Sequence, residues 1–598
     1  MQRALGLRHR PQMKRDLSTI VCGLPPCITL LLFARRPQTF PSEPRPQGSD
    51  RCTCKPRPQF AACRTLWGSQ SWLQPPFRRL LAETAGASKL RVSYAALFEE
   101  CSVVRGGDFR PCSRLSAGST AASRLHPRVE NRRHTSFVLL IRKAAMNYYE
   151  QHQADFLEGL KTFLRIPSIS TLSENKPDMR RAAEFAVNEL RAAGMTVAEL
   201  IEGEGESNPL VYAEWLGAPG KPTILFYGHY DVQPPDPLDE WKSPPFEPEV
   251  RGDNIYARGA CDDKGQVYIQ IKAVEGLLKT AGKLPVNVKF LLEGEEETGG
   301  EHIEAYVKTR PPRLKADAAV VCDTEMFAPE LPTICVGLRG MVYYELFVQG
   351  ADHDLHSGVY GGAAPNPILA IAEILCALKD RAGRIQVPGF YDSVEPPSAK
   401  ERAAWASLPF DEKEYTEKEM GAKELVGEPG VPLFERVWAR PTVEIHGIRG
   451  GFTGEGAKTV IPARAVAKIS TRLVASQTVD ASVKLMQAAV KAACPRGVTA
   501  ELKVLHAGEP SLTNPDNPFI HAAAEALKET FGKETVYIRS GGSIPIVGVF
   551  DRYLGIPSVM MGFGLPDDNL HAPNEKFHLP NFYRGIQAVA RYLEILGR

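Results

Sequence analysis

An α/β fold, with a mixed β-sheet flanked by helices and interrupted by a smaller α+β segment, is what this sequence predicts, from three observations. Between residues 146 and 335 short β-rich runs alternate with helical stretches; after about Val336 the texture changes to strands of alternating polarity; from about Glu509 the first texture returns. A chain of 598 residues is also too long for one core, so more than one domain is expected.

Phe156, Leu157, Leu160, Phe163 and Leu164 recur at helical spacing and predict a helix that ends before Pro167. A second helix, over 178–193, is stopped by Gly194, the residue type that caps a helix in the left-handed conformation. Strands follow at 210–215, 223–227, 286–292 and 318–322, with a helix at 267–280. The middle segment carries strands at 342–348 and 466–474 and helices at 365–379 and 479–493, two strand–helix–strand passages. A helix, the turn Ser540-Gly-Gly-Ser543, a strand at 558–562 and a last helix running through Leu593 close the chain. The expected organisation is a first catalytic segment over 146–335, a lid or dimerisation domain over 336–508, and a second catalytic segment over 509–598. No internal repeat is evident.

The net charge of +2 conceals a seam. Residues 1–145 hold 25 Lys and Arg against 8 Asp and Glu, leaving 47 against 62 in the remaining 453. An apolar run at 20–33 behind Lys14-Arg15 resembles a signal-peptide core more than a membrane span, which needs about 20 apolar residues, and Pro25-Pro26 interrupts it. The Arg-rich remainder is compatible with an organellar transit peptide. The plainer expectation is that Met146 is the physiological start, and that residues 1–145 are disordered or a non-physiological extension.

The acidic main body argues against nucleic acid as a partner, and no membrane association is expected. Its cysteines, Cys261, Cys322, Cys335, Cys376 and Cys494, stand singly, without the spacing of a disulfide framework or a thiolate zinc site. A reducing, cytoplasmic setting follows.

Five positions carry the chemistry, each expected just beyond a strand, where open α/β sheets place their ligands. His229 closes the apolar run in Phe226-Tyr-Gly-His229, and Asp231 two residues on can orient its second ring nitrogen. Asp262 sits in the Gly-flanked turn Arg258-Gly-Ala-Cys-Asp262-Asp-Lys-Gly265. Glu296 and Glu297 lie in an acidic cluster ahead of Thr298-Gly299, where carboxylates repel unless a cation or proton is shared. Asp323 ends the run Ala319-Val-Val-Cys322, and His571 follows Pro566-Asp-Asp-Asn-Leu570. Each alone also reads as structural: a strand-end His, a capping Asp, a solvated acidic loop. Together, His229, Asp262, Glu297, Asp323 and His571 make a nitrogen and oxygen donor set suited to a pair of divalent ions, one carboxylate bridging.

With those residues quoted, the sequence from about Asn147 onward resembles the co-catalytic zinc exopeptidases, the family of carnosinase, cytosolic nonspecific dipeptidase, carboxypeptidase G and succinyl-diaminopimelate desuccinylase, in their dipeptidase branch. The resemblance rests on Gly228-His-Tyr-Asp-Val-Gln-Pro234, Asp262-Asp-Lys-Gly265, Glu296-Glu-Thr-Gly299, Asp354-Leu-His-Ser-Gly-Val-Tyr-Gly-Gly362 and Gly456-Ala-Lys-Thr-Val-Ile-Pro462. It implies that His229 and His571 each bind one ion, that Asp262 bridges both, that Glu297 joins the first site and Asp323 the second, and that Glu296 is the general base. It implies two ions per subunit, zinc first, with manganese or cobalt as alternatives. A homodimer is also implied, with His356 and Thr459 reaching the partner subunit's site, His356 against the developing oxyanion.

Arg472 lies on the polar face of Lys468-Ile-Ser-Thr-Arg-Leu473, where its planar fork could clamp a carboxylate or simply face solvent, and the resemblance implies that it holds the substrate's C-terminal carboxylate. Ser543 opens a turn whose backbone amides can hold an anion, and His506 matches a hinge histidine although Ala507 and Glu509 depart from the usual pattern. The expected function is hydrolysis of dipeptides or similarly small amides. An N-acyl-amino-acid deacylase or a carboxypeptidase would use the same metal chemistry with a different pocket. A non-catalytic relative would show loss of Glu296 or of a ligand, and none is lost.

Overall fold

The computed structural model describes residues 144–203 and 205–598. The extension over 1–145 lies outside the described residues except for Ala144 and Ala145. Among the described residues no helix is long and apolar enough to cross a membrane.

A nine-stranded mixed sheet forms the frame. From one edge it runs Val197–Ile201, Leu210–Trp215, Asn287–Glu293, Thr223–His229, Ala318–Val321, Ser558–Met560, Thr333–Leu338 and Ser511–Leu512, with Val536–Ser540 also paired to Thr333–Leu338. The central strands are parallel: Thr223–His229 runs with Asn287–Glu293 on one side and Ala318–Val321 on the other. Such strands are covered on both faces, so Thr223–His229 is buried from Ile224 onward and reads as an unbroken apolar run. Phe226 stacks on its register partner Phe290 at 5.0 Å between ring centroids.

One face is covered by the helices Lys176–Ala193, Lys264–Ala281 and Leu579–Leu596. The first ends at Gly194, at φ 105°, as its sequence predicts. Burying each Leu, Val or Phe of this layer stabilises the fold by about 1.5–3 kcal/mol.

The second sheet is antiparallel, in the order Thr442–Gly450, Arg464–Leu473, Gly340–Gln349, Thr499–Gly508. Residues of Gly340–Gln349 alternate between buried and half-buried, the period of a sheet with one packed face. That face holds the helices Pro367–Leu378 and Val479–Ala493. Their starts are fixed by side-chain caps: Asn366 accepts from Ile368 and Leu369 N–H, and Thr478 from Ala481 N–H.

Residues 399–439 do not join that layer. Trp405, Leu408 and Ala439 pack with Tyr212, Leu225 and Val321 on the face of the first sheet opposite the helices. The helix Ala399–Ala406 opens with a reciprocal capping box between Ser398 and Glu401.

Candidate metal centre

His229 is the last residue of its strand, so the strand's direction delivers the imidazole to the sheet's carboxyl edge. Gly228 beside it permits close packing: a Cβ there would stand 2.4 Å from Val267 Cγ2 and 2.6 Å from Asp263 Oδ2. The helix that begins at Lys264 thus presses its first turn against the strand end, and Asp263 accepts a hydrogen bond from His229 N–H at 3.1 Å.

Asp262 is not beyond a strand, and here the sequence expectation needs correction. It stands in the loop before the helix Lys264–Ala281, bound there by Glu575. One Glu575 oxygen accepts from Cys261 and Asp262 N–H, at 3.0 and 3.1 Å. The other accepts from Gly259 N–H at 2.9 Å and from the buried Arg258 guanidinium at 2.8 Å. Glu575 was not singled out in the sequence; its only signal is a carboxylate in the Pro-Asn turn four residues after His571. Removing one partner of a buried ion pair leaves the other uncompensated. Glu575→Ala is therefore expected to cost about 3–5 kcal/mol of unfolding free energy, read by denaturant melts; an unchanged midpoint would contradict the arrangement.

Glu296 and Glu297 occupy the short turn Glu296–Thr298, after the strand Asn287–Glu293, and Gly299 and Gly300 leave it at φ 115° and 64°. Asp323 follows the strand Ala318–Val321 by two residues. His571 also departs from the strand-end expectation. It lies in an irregular loop at φ 60°, a conformation uncommon outside glycine, and nearby Asn574 anchors that loop by accepting from Lys242 N–H and donating to Glu240 C=O, each at 2.8 Å.

The five donors gather into two groups that share one member: His229, Asp262 and Asp323, and Asp262, Glu297 and His571. His229 Nε2 is 3.1 Å from Asp262 Oδ1 and 3.8 Å from Asp323 Oδ2. His571 Nε2 is 2.9 Å from the other Asp262 oxygen and 3.4 Å from Glu297 Oε1.

The fit of a divalent cation is decided by His229. Its Nδ1 lies 3.1 Å from the backbone carbonyl of Asp231, an atom that can only accept, so Nδ1 carries hydrogen and Nε2 is left to take a cation or a proton. The Asp231 carboxylate is farther, at 3.4 Å, and instead accepts from Glu297 N–H at 3.1 Å. Nε2 is buried without a hydrogen-bond partner and faces two carboxylates. A lone pair against carboxylate oxygens repels unless a cation or proton lies between them.

The charges of the donors act on one another accordingly. Hydrogen bonds to Asp262 and Glu297 push His571 up to about 10. Burial opposes ionisation of Asp262, yet His229 and His571 hold its carboxyl far below the usual range. Burial, with the charge of Asp262, pushes Asp323 up to about 7. Glu296 belongs to neither donor group; burial pushes its carboxyl well up, and it lines the same cavity as Asp262, Asp323 and His571.

The remaining predicted residues divide. Arg472 donates to Ser543 Oγ at 2.7 Å, and Ser543 in turn donates to the Arg339 carbonyl. Arg339, which the sequence reading missed inside an ordinary strand turn, also donates from Nε to Gly541 C=O at 3.1 Å. His506 stacks on Tyr343 with ring centroids 5.1 Å apart, and His446 stacks on Tyr343 at the same distance. His356 and Thr459 are both exposed and do not line the donor cavity; they neighbour each other, with Thr459 C=O accepting from Ser357 N–H at 3.0 Å.

Comparison with known proteins bears on the same residues. A family model described as peptidase family M20/M25/M40 matches residues 225–595. The Cys-Gly metallodipeptidase DUG1 of Candida albicans is 32% identical over 472 residues, spanning 75% of this chain and 96% of the relative. The crystal structure of human carnosine dipeptidase 1 superposes with a TM-score of 0.68 at 30% identity, covering 76% of this chain and 99% of the other. An M20 family metallo-carboxypeptidase from Sulfolobus solfataricus, Sso-CP2, superposes at 0.66 with 34% identity, over 74% and 99%.

Proposed function

From a chain that belongs to peptidase family M20/M25/M40, we propose a dinuclear metallodipeptidase that acts as a homodimer and cleaves the single peptide bond of unblocked dipeptides. The observation that carries this reading is the pair of donor groups sharing Asp262, with Glu296 beside them on one cavity wall.

His229, Asp262 and Asp323 would hold one ion, and Asp262, Glu297 and His571 the other. The mixed imidazole and carboxylate set suits zinc first, with manganese or cobalt also compatible. When bound, such a pair supplies Lewis acidity toward the scissile carbonyl and lowers the pKa of water. Glu296 takes the water proton and delivers it to the leaving amine, a task suited to a carboxyl whose proton affinity burial has raised. Asp231 fixes the His229 tautomer through its carbonyl and the Glu297 backbone through its carboxylate.

Arg472 and Ser543, already hydrogen-bonded to each other, bind the substrate's C-terminal carboxylate. His506, on the strand that follows, belongs to the hinge beside them. His356 and Thr459 complete the site of the partner subunit, His356 by donating to the developing oxyanion. Their exposure supports this, as do the exposed apolar side chains of Val359, Tyr360, Ile368 and Leu369 after His356, and of Ile445 and Ile448 on the strand Thr442–Gly450, residues of the kind that subunit contacts cover. Free buried thiols at Cys261, Cys322 and Cys335 are compatible with a reducing, cytoplasmic setting.

The likeness to Sso-CP2 favours one second reading, a carboxypeptidase acting on longer chains. Comparing dipeptides, their C-terminal amides, N-acetyl amino acids and tetrapeptides separates the readings. Turnover of free dipeptides is expected to dominate, and Arg472→Met to lower kcat/KM by roughly 10–100-fold on free dipeptides, the worth of a charge-assisted hydrogen bond. Equal turnover of amides, or activity on N-acetyl amino acids alone, contradicts it.

A further inference from the structure

The donor carboxylates open into a cavity of about 950 Å³, large against a dipeptide. Part of its wall is accounted for by the metal donors and by the Gly542–Ser543 turn beside Arg472. Another part comes from residues 409–438, the segment that leaves the second sheet to pack on the first. Here the chemistry is distinct. Phe434 stacks on Trp438 at 4.3 Å between centroids and meets Phe327 edge-on at 5.6 Å, and all three line the cavity.

Glu325 and Glu419 line the same space, and neither has a hydrogen bond or ion pair to another side chain among the described residues. The permanent cations on the wall are already engaged. Arg539 binds Glu401, and Lys576 binds Asp567 and Asp568 at 3.0 and 2.8 Å. Two carboxyls without a side-chain partner among the described residues are left over, set among aromatic faces, and both features suit an ammonium or guanidinium group better than a carboxylate.

We infer that this wall is a subsite for a basic N-terminal residue, so that the substrates are dipeptides whose first residue carries a cationic side chain. The inference rests on the dipeptidase reading above: with the carboxylate at Arg472 and Ser543 and the scissile bond at the metal donors, the residue on the amino side takes the rest of the cavity.

The test is kcat/KM for Lys-Gly, Leu-Gly and Glu-Gly with the full chain and its divalent ions restored. Lys-Gly is expected to exceed Glu-Gly by about tenfold or more, with Leu-Gly between them. Glu419→Gln and Glu325→Gln, assayed separately, should move the Lys-Gly to Leu-Gly ratio toward one. The ratio is read within one preparation, so a loss of folded protein cancels. Turnover of all three at similar rates, or ratios unmoved in both variants, overturns the subsite and leaves the dipeptidase reading standing. Failure of every dipeptide while another substrate class is turned over overturns both.

Discussion

Glu296→Ala is expected to lower kcat by roughly 10²–10⁴-fold, the usual worth of a positioned general base, while the protein still takes up its full complement of ions. The expectation follows from where the carboxyl stands. Glu296 lines the cavity beside Asp262, Asp323 and His571 but contributes to neither donor group, whereas Glu297, its neighbour in the same short turn, lies 3.4 Å from His571 Nε2. Adjacent residues should therefore fail in different ways. Glu297→Ala loses metal and activity together; Glu296→Ala keeps the metal and loses only the proton transfer. Measuring kcat beside metal content distinguishes them, and a Glu296→Ala enzyme within a few fold of the parent would contradict the assignment.

Asp262→Asn is expected to abolish turnover by weakening both ions at once, because each donor group draws one oxygen from this carboxylate. Chelation should do the same and also destabilise the fold. A ligand present at a hundred times its dissociation constant contributes about 2.7 kcal/mol to stability, which chelation removes as a drop in Tm.

The pH dependence has a definite sign. His571 holds its proton up to about pH 10 through Asp262 and Glu297, while only the neutral imidazole is a ligand. The ion bound at His571 near pH 7 therefore displaces a proton, and its apparent affinity strengthens as the pH rises toward 10. Calorimetric titrations in buffers of different ionisation enthalpy report the protons released. No release at pH 7, or tighter binding at lower pH, would contradict this arrangement.

Much of the centre is legible in the sequence because strand burial writes a clear signal. The run before His229 is apolar without interruption, as a strand covered on both faces must be, so the first polar residue after it falls at the sheet edge. Asp323 and the Glu296–Glu297 pair are found the same way. Glu575 is not, because its role depends on a fold that brings it to a loop more than 300 residues away. Nothing in Pro573-Asn-Glu575 distinguishes it from a solvated turn. Residues 399–439 were likewise hidden: Trp405 and Leu408 lie in the short run Ala403-Ala-Trp-Ala-Ser-Leu-Pro-Phe410 between charged stretches, too brief to show that it covers the first sheet. The edge strand Thr499–Gly508 escaped for the opposite reason. Its alternation is confined to Ala500, Leu502 and Val504 against Glu501 and Lys503, and the residues from Lys503 to Ala507 are exposed, so the signal of a half-buried strand is short.

The central claim is a pair of ions bridged by Asp262, and counting them tests it most directly. Protein stripped with a chelator is titrated with zinc while bound metal and dipeptide turnover are followed together. Turnover should be absent at the start and rise to a plateau at two ions per chain, with Asp262→Asn reaching neither the metal content nor the rate. Full turnover in the stripped protein, or a plateau at one ion per chain with Asp262→Asn unaffected, would contradict it.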